Sequence, residues 1–260
     1  MVKRLDGKVA VITGASSGVG AIIARDLAEI GAIPVLAARS EAKLQKVAAA
    51  IKDEHACYVL DVRSDEQVRE VMDAVRARYG KIDILINCAG FGVFEYTVNT
   101  SLHTFEDMMD VNYMGTVRCI KDVLPHMLEA GNGNIVNLAS MAGKLGSAKS
   151  SGYAASKHAV LGFTNSLRQE LAGTGVRLSA INPGPIDTPF FETADPTGGY
   201  VNSIKWMMLP PERVSAAVIK AIVKGKDETD MPRIAAFGIK LYQLFPRLAD
   251  RYAARLFNKK

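Results

Sequence analysis

The sequence predicts a single α/β domain, an open, doubly wound parallel sheet with helices on both faces. Two observations predict it. Short β-branched runs alternate with longer amphipathic stretches along the chain. The runs are apolar at nearly every position rather than every second one, as strands buried on both sides must be. Covering both faces takes helices above and below the sheet, reached by right-handed crossovers. At 260 residues and 48% hydrophobic, the chain can bury one full core.

In order, strands are expected at residues 8–12, 33–38, 57–60, 82–87, 134–139 and 176–181. Between them, apolar residues at helical spacing predict helices at 18–30, 41–52, 64–79, 104–130 and 152–172. The Pro/Gly-rich break at 182–188 opens a long irregular segment, and residues 188–210 are expected to act as a substrate lid. The domain is placed at 1–232, with 233–260 as a C-terminal extension. Ligands of such a sheet bind at the carboxyl ends of its strands, so the residues there matter most.

Directly after the first run stands Thr13-Gly14-Ala15-Ser16-Ser17-Gly18-Val19-Gly20, and then a helix begins. Three glycines let the backbone turn sharply and approach a pyrophosphate, while amide groups and the helix dipole face the anion. After the second strand, Ala37-Ala38-Arg39-Ser40 holds no carboxylate to accept the ribose hydroxyls of NAD. A guanidinium stands there instead, able to grip a phosphate with two hydrogen bonds. The cofactor expected is therefore NADP(H) in preference to NAD(H), with Ser40 also a natural helix N-cap.

The third constellation is Ser140 with Ser150-Ser151-Gly152-Tyr153-Ala154-Ala155-Ser156-Lys157. Tyr153 and Lys157, four residues apart, share one helix face. Reducing a carbonyl needs a proton at oxygen as hydride reaches carbon, and a phenol near ~10 is a sluggish acid–base group at neutral pH. Lowering it to about 7 takes roughly 4 kcal/mol, a task expected of the Lys157 charge together with an oxidised nicotinamide. Ser140 would donate a hydrogen bond to the substrate oxygen.

Taken together, these residues resemble the short-chain dehydrogenase/reductase family over roughly residues 5–225. The resemblance rests on Thr13 to Gly20, on Asn87-Cys88-Ala89-Gly90, on Tyr153 to Lys157, and on Pro183-Gly184 followed by Thr188. It implies a Rossmann-like fold and a catalytic tetrad of Asn112, Ser140, Tyr153 and Lys157, the Asn holding a helix kink and a water that passes protons to the Lys. It also implies that Asp61 and Val62 border the adenine and that Ile186 and Thr188 lie along the cofactor, Thr188 at the carboxamide. Members are commonly dimers or tetramers through helices matching 104–130 and 152–172. Cys88 replaces the family's second Asn and puts a hydrogen bond across the sheet in question.

Phe91, Val93, Phe94, Met141 and the segment 190–209, with Phe191, Tyr200, Trp206, Met207 and Met208, are expected to surround the crevice. An apolar ketone, aldehyde or alcohol, lipid-like or steroid-like, suits such a wall. His55, His103, His126 and His158 share no ligand spacing, so no metal is expected. Cys57, Cys88 and Cys119 are scattered and odd in number, which fits a reducing, cytoplasmic setting. No stretch reads as a signal peptide or a membrane span.

The net charge of +5 is concentrated at the end, where residues 233–260 hold seven Lys or Arg against one Asp. The remaining body lacks the basic face that nucleic-acid binding requires. Beyond Pro246, Leu248, Tyr252 and Leu256 align with Ala249, Ala253 and Phe257, beside Arg247, Arg251 and Arg255. That is a basic amphipathic helix pattern, suited to an anionic membrane, another subunit or the protein's own crevice. The expected activity is NADPH-dependent carbonyl reduction. The alternative from another class is a catalytically silent nucleotide sensor or scaffold.

Overall fold

A computed structural model describes residues 4–244. Seven strands form one parallel sheet: β1 (Val9–Thr13), β2 (Ile33–Ala38), β3 (Ala56–Val59), β4 (Ile84–Asn87), β5 (Gly133–Leu138), β6 (Val176–Pro183) and β7 (Glu228–Met231), in the order β3-β2-β1-β4-β5-β6-β7. The chain builds outward from β1 to β3, then returns to β4 and builds the other way. The strand order therefore reverses between β1 and β4, and the crevice that opens there is where such sheets hold ligands.

The alternation of side chains along β1 shows why both faces must be covered. Val9 and Val11 belong to one buried cluster, with Leu85, Ile120 and Leu178; Ala10 and Ile12 belong to the other, with Leu36, Ile84 and Val218. The first cluster is closed by α3 (Asp65–Tyr79), α5 (Gly115–Glu129) and the far end of α6 (Ser151–Glu170); the second by α1 (Gly18–Glu29), α2 (Glu41–Ala48) and α9 (Pro211–Lys224). Ahead of α5 lies α4 (Leu102–Met109). After β6 come two short helices, α7 (Phe190–Ala194) and α8 (Gly199–Ile204), and α10 (Arg233–Leu244) follows β7.

Four differences from the expectation have physical reasons. Residues 104–130 are not one uniform helix: Asp110–Met114 forms a π-helical turn between α4 and α5. β7 was not foreseen because Glu228-Thr229-Asp230-Met231 carries almost no apolar signal; pairing of Ala180–Pro183 with it makes it a strand. The segment 188–210 is not irregular but mostly helical, pinned at its stem by Asp187 N–H to Leu209 C=O (3.0 Å) and Leu209 N–H to Pro185 C=O (2.8 Å). Finally, α9 was not among the expected helices, and burial of Val214, Val218, Ala221 and Ile222 against the second cluster makes it one of those that close the sheet; the amphipathic segment expected at 247–260 lies outside the described residues.

Candidate active site

A crevice of about 1130 Å³ runs over the carboxyl ends of β1, β2, β4, β5 and β6. At one end lies the glycine turn. Gly14 holds φ +68°, and a Cβ there would come within 2.8 Å of the Ala89 backbone, so the two strand ends close only around a glycine. Ser17 precedes α1 without a side-chain capping bond, and the first turn carries no acidic residue. Its amide donors are thus free for an anion, which suits a pyrophosphate. Ser16, Ser17, Gly18, Val19 and Gly20 all line this end.

Arg39 and Ser40 reach the same crevice beside Lys43 and Lys46, two lysines on α2 that were not singled out from the sequence. Their spacing of three on a helix that starts at the Arg39-Ser40 end was the available signal. Ser40 also accepts the Lys43 amide at 3.4 Å as the α2 N-cap. Asp61, Val62, Ala89, Gly90, Pro183, Gly184, Ile186 and Thr188 line the crevice as well. The Asp61 carboxyl sits below its usual range, chiefly through hydrogen bonds from Arg63, which pairs with it at 2.7 Å.

Two expected contact residues sit behind the wall. Thr13 is buried, and its hydroxyl accepts the amides of Cys88 and Ala89 at 3.1 Å each, tying β1 to the end of β4. Asn87 is buried and donates to Asn137 Oδ1 at 2.9 Å, while Asn137 donates to Thr164 at 2.8 Å. That is a hydrogen bond across the sheet, and it is made one position before Cys88, so the Cys88 departure leaves it intact. Burial pushes the Cys88 thiol up to about 11, which makes it a poor nucleophile.

Ser140, Tyr153 and Lys157 meet at the centre of the crevice. The Ser140 hydroxyl accepts the Ala142 amide at 3.1 Å and donates to Pro183 C=O at 3.4 Å. Lys157 is buried, its Nζ donating to Leu138 C=O at 2.8 Å and lying 5.8 Å from the Tyr153 ring centroid. The expected lowering of the phenol toward neutrality was assigned to Lys157 together with an oxidised nicotinamide, and the chain's own groups do not produce it. Burial raises Tyr153 to about 12, and the Ser140 hydroxyl pulls against it. Lys157 moves the other way, to about 8, because burial penalises its charge. Both groups are driven toward their neutral forms by the same dry surroundings.

Asn112 does not line the crevice. It sits in the π-helical turn, where a kink was implied, and braces three elements. Its amide donates to Phe91 C=O (2.8 Å) and Ser156 Oγ (2.9 Å), and its Oδ1 accepts the Phe91 amide (2.9 Å). Gly90 lies between this side chain and the lysine: a Cβ there would stand 3.0 Å from Asn112 Oδ1 and 3.6 Å from Lys157 Nζ. His158, next to the lysine, turns back along its own helix to Ala154 C=O at 2.8 Å.

Beyond Tyr153 the wall is aromatic. Phe94 stands edge-on to Tyr153 (5.7 Å between centroids) and to Tyr200 (4.8 Å), and Phe190 packs at 5.6 Å from Tyr153. The Phe94 amide donates to Ala194 C=O at 2.8 Å, linking the loop after β4 to α7. Met141 and Met207 also line this end, whereas Trp206, expected there, is 84% exposed. Ile239 of α10 reaches the crevice too, a contact that no local pattern announced.

With this geometry in hand, comparison with known proteins is informative. The short chain dehydrogenase family profile matches residues 8–198. An uncharacterized oxidoreductase of Staphylococcus saprophyticus is 43% identical over 196 residues, 74% of this chain and 84% of that protein. A short chain dehydrogenase/reductase from Burkholderia phymatum, solved in complex with NAD, superposes with a TM-score of 0.86 at 28% identity, covering 96% of this chain and 97% of that one. An actinorhodin polyketide ketoreductase variant solved with NADPH gives 0.79 at 32% identity, covering 86% and 94%.

Proposed function

The chain belongs to the short-chain dehydrogenase/reductase family of oxidoreductases, and from that premise we propose that it is an NADPH-dependent reductase of apolar carbonyl compounds. One observation carries the reading: Ser140, Tyr153 and Lys157 converge between a phosphate-ready glycine turn and an aromatic wall in a single crevice.

A bound reduced nicotinamide would supply the hydride. The chain's own part is to place the carbonyl and deliver the proton. The Ser140 hydroxyl and the Tyr153 phenol, which line one crevice, would both face the carbonyl oxygen, with the aromatic wall limiting access of water. As the C=O bond's π electrons move onto oxygen, that oxygen takes the phenolic proton. A phenol held at about 12 is protonated at neutral pH and so carries the proton that reduction needs. Lys157, at about 8, keeps most of its charge there and offsets the phenolate left behind until solvent reprotonates it. Asn112 acts as a positioning residue, holding the kink and the loop at Phe91; the proton-passing water next to it belongs to this proposal.

Arg39, with Lys43 and Lys46 beside it and no carboxylate at the end of β2, supports preference for the 2′-phosphate of NADP. The ketoreductase neighbour was solved with NADPH, the Burkholderia one with NAD, so the preference rests on these local charges. Residues 188–210 serve as the lid of a domain spanning 1–232, with 233–260 appended. The proposed assembly is a homodimer or homotetramer through α5 and α6, with exposed Leu128 on α5, and a reducing cytoplasmic setting suits the three unpaired cysteines.

The test is NADPH consumption, followed by its near-ultraviolet absorbance, over a panel of apolar ketones and aldehydes. Tyr153→Phe should lower turnover by roughly 10²–10⁴-fold while NADPH affinity changes less than about twofold. Cofactor binding without turnover on any carbonyl would favour the silent sensor instead.

A further inference from the structure

Helix α10 has apolar residues on two opposite sides. Ile239 is buried and lines the crevice. Ile234, Phe237, Leu241 and Leu244 fall within about 80° of one another around the helix, centred about 180° from Ile239. They are 87%, 72%, 52% and 72% exposed. A surface helix buries its apolar stripe and shows water its polar one; here four large apolar side chains on one stripe point outward. Arg233, exposed, flanks them.

A second exposed patch belongs to the same crevice rim. Trp206, the chain's single tryptophan, stands between exposed Lys205 and Met207, and Met207 itself lines the crevice. An indole with a polar N–H and a large apolar body, next to a lysine, is the chemistry of a water–lipid boundary.

Charge decides between possible occupants. Residues 233–260 hold seven Lys or Arg against one Asp, and Arg247, Arg251, Arg255, Lys259 and Lys260 lie in the sixteen residues that follow α10. An anionic surface would be attracted to both the segment and the flanking Arg233 and Lys205. Among the described residues no helix is long and apolar enough to cross a membrane, so the contact is one that lies on the surface.

We propose that the outward stripe of α10, with Lys205 and Trp206 as a second contact, docks the protein on an anionic phospholipid surface. The docking does not rest on the proposed substrate class.

The experiment uses the full chain with sedimented vesicles of phosphatidylcholine alone and of phosphatidylcholine mixed with phosphatidylglycerol. The wild type should bind the anionic vesicles, release with added salt, and shift its single-tryptophan emission to the blue. Phe237→Asp with Leu241→Asp should lower partitioning by at least about tenfold, leaving circular dichroism and turnover of a water-soluble carbonyl unchanged. Ile234→Asp with Leu244→Asp provides a second, independent pair. No binding to anionic vesicles, or equal binding by wild type and both variants, overturns the proposal. So does a loss of assembly mass by light scattering in these variants without vesicles, which would assign the stripe to a second copy. Vesicle binding without turnover on any carbonyl supports the docking and sinks the substrate reading alone.

Discussion

The two ends of the crevice are made of different material. The nucleotide end, at β1 and β2, is built first on main chain, the Gly14 turn and the uncapped start of α1, braced by the Thr13 hydroxyl and flanked by the charges of Arg39, Lys43 and Lys46. The substrate end is side chain: Phe94, Phe190 and Tyr200 around Tyr153, carried by a loop and short helices. Backbone geometry tolerates little variation because a Cβ in the wrong place meets other backbone. An aromatic wall can be re-cut residue by residue while the sheet beneath it stays the same. On the proposed reading, the first end holds the nucleotide and the second selects the substrate.

The sharpest way to break this contrast is Gly14→Ala. Its Cβ would meet the Ala89 backbone at 2.8 Å from a φ of +68°, so NADPH affinity measured by calorimetry should fall by roughly hundredfold, with some loss of stability. Unchanged affinity would mean that the turn is not a close fit. Arg39→Asp should act at the same end but on selectivity. The ratio of kcat/KM with NADPH to that with NADH is expected to drop by at least about tenfold; an unaltered ratio would move the 2′-phosphate site elsewhere.

Acidity offers a third comparison, now within the centre of the site. Proton donation needs Tyr153 protonated and Lys157 charged. The first condition holds up to about 12, and the second fails as pH rises through about 8. The kcat/KM for reduction should accordingly be level below that point and fall above it, by about tenfold per unit. A profile that stays level to pH ~10 would show that the lysine charge is not required. The smallest expected effect lies at the aromatic end. Phe94→Ala removes edge contacts to Tyr153 and Tyr200 and should raise KM for apolar carbonyls by about fivefold, about 1 kcal/mol, with NADPH affinity unmoved. A matching loss of NADPH affinity would erase the division between the two ends.

Much of the sheet was legible because its strands announce themselves locally. β2 falls at its expected residues, and β1, β3, β4 and β5 differ from theirs by one or two at their ends. β7 did not announce itself, since an edge strand reading Glu-Thr-Asp-Met is held by β6 and by the contacts of Asn182 and Lys144 with Glu228 and Asp230 rather than by its own apolar character. The kink at Asn112 was implied by the family resemblance alone and not by local pattern: α4 and α5 share one continuous helical periodicity, and the bonds from Asn112 to Phe91 and Ser156 mark where it widens.

The sequence by itself determined what depends on near neighbours: a glycine turn before a helix, a phenol and a lysine four residues apart, a guanidinium where a carboxylate would read ribose. Tertiary structure decided which of those groups face the crevice and how they ionise. Thr13 and Asn87 turned inward to brace strand ends, Ile239 arrived from a distant helix, and burial shifted both Tyr153 and Lys157 toward their neutral forms. The reason is that dihedral preferences and helical spacing act over a few residues, whereas desolvation depends on every element that closes around a group, and those elements come from far apart in the chain.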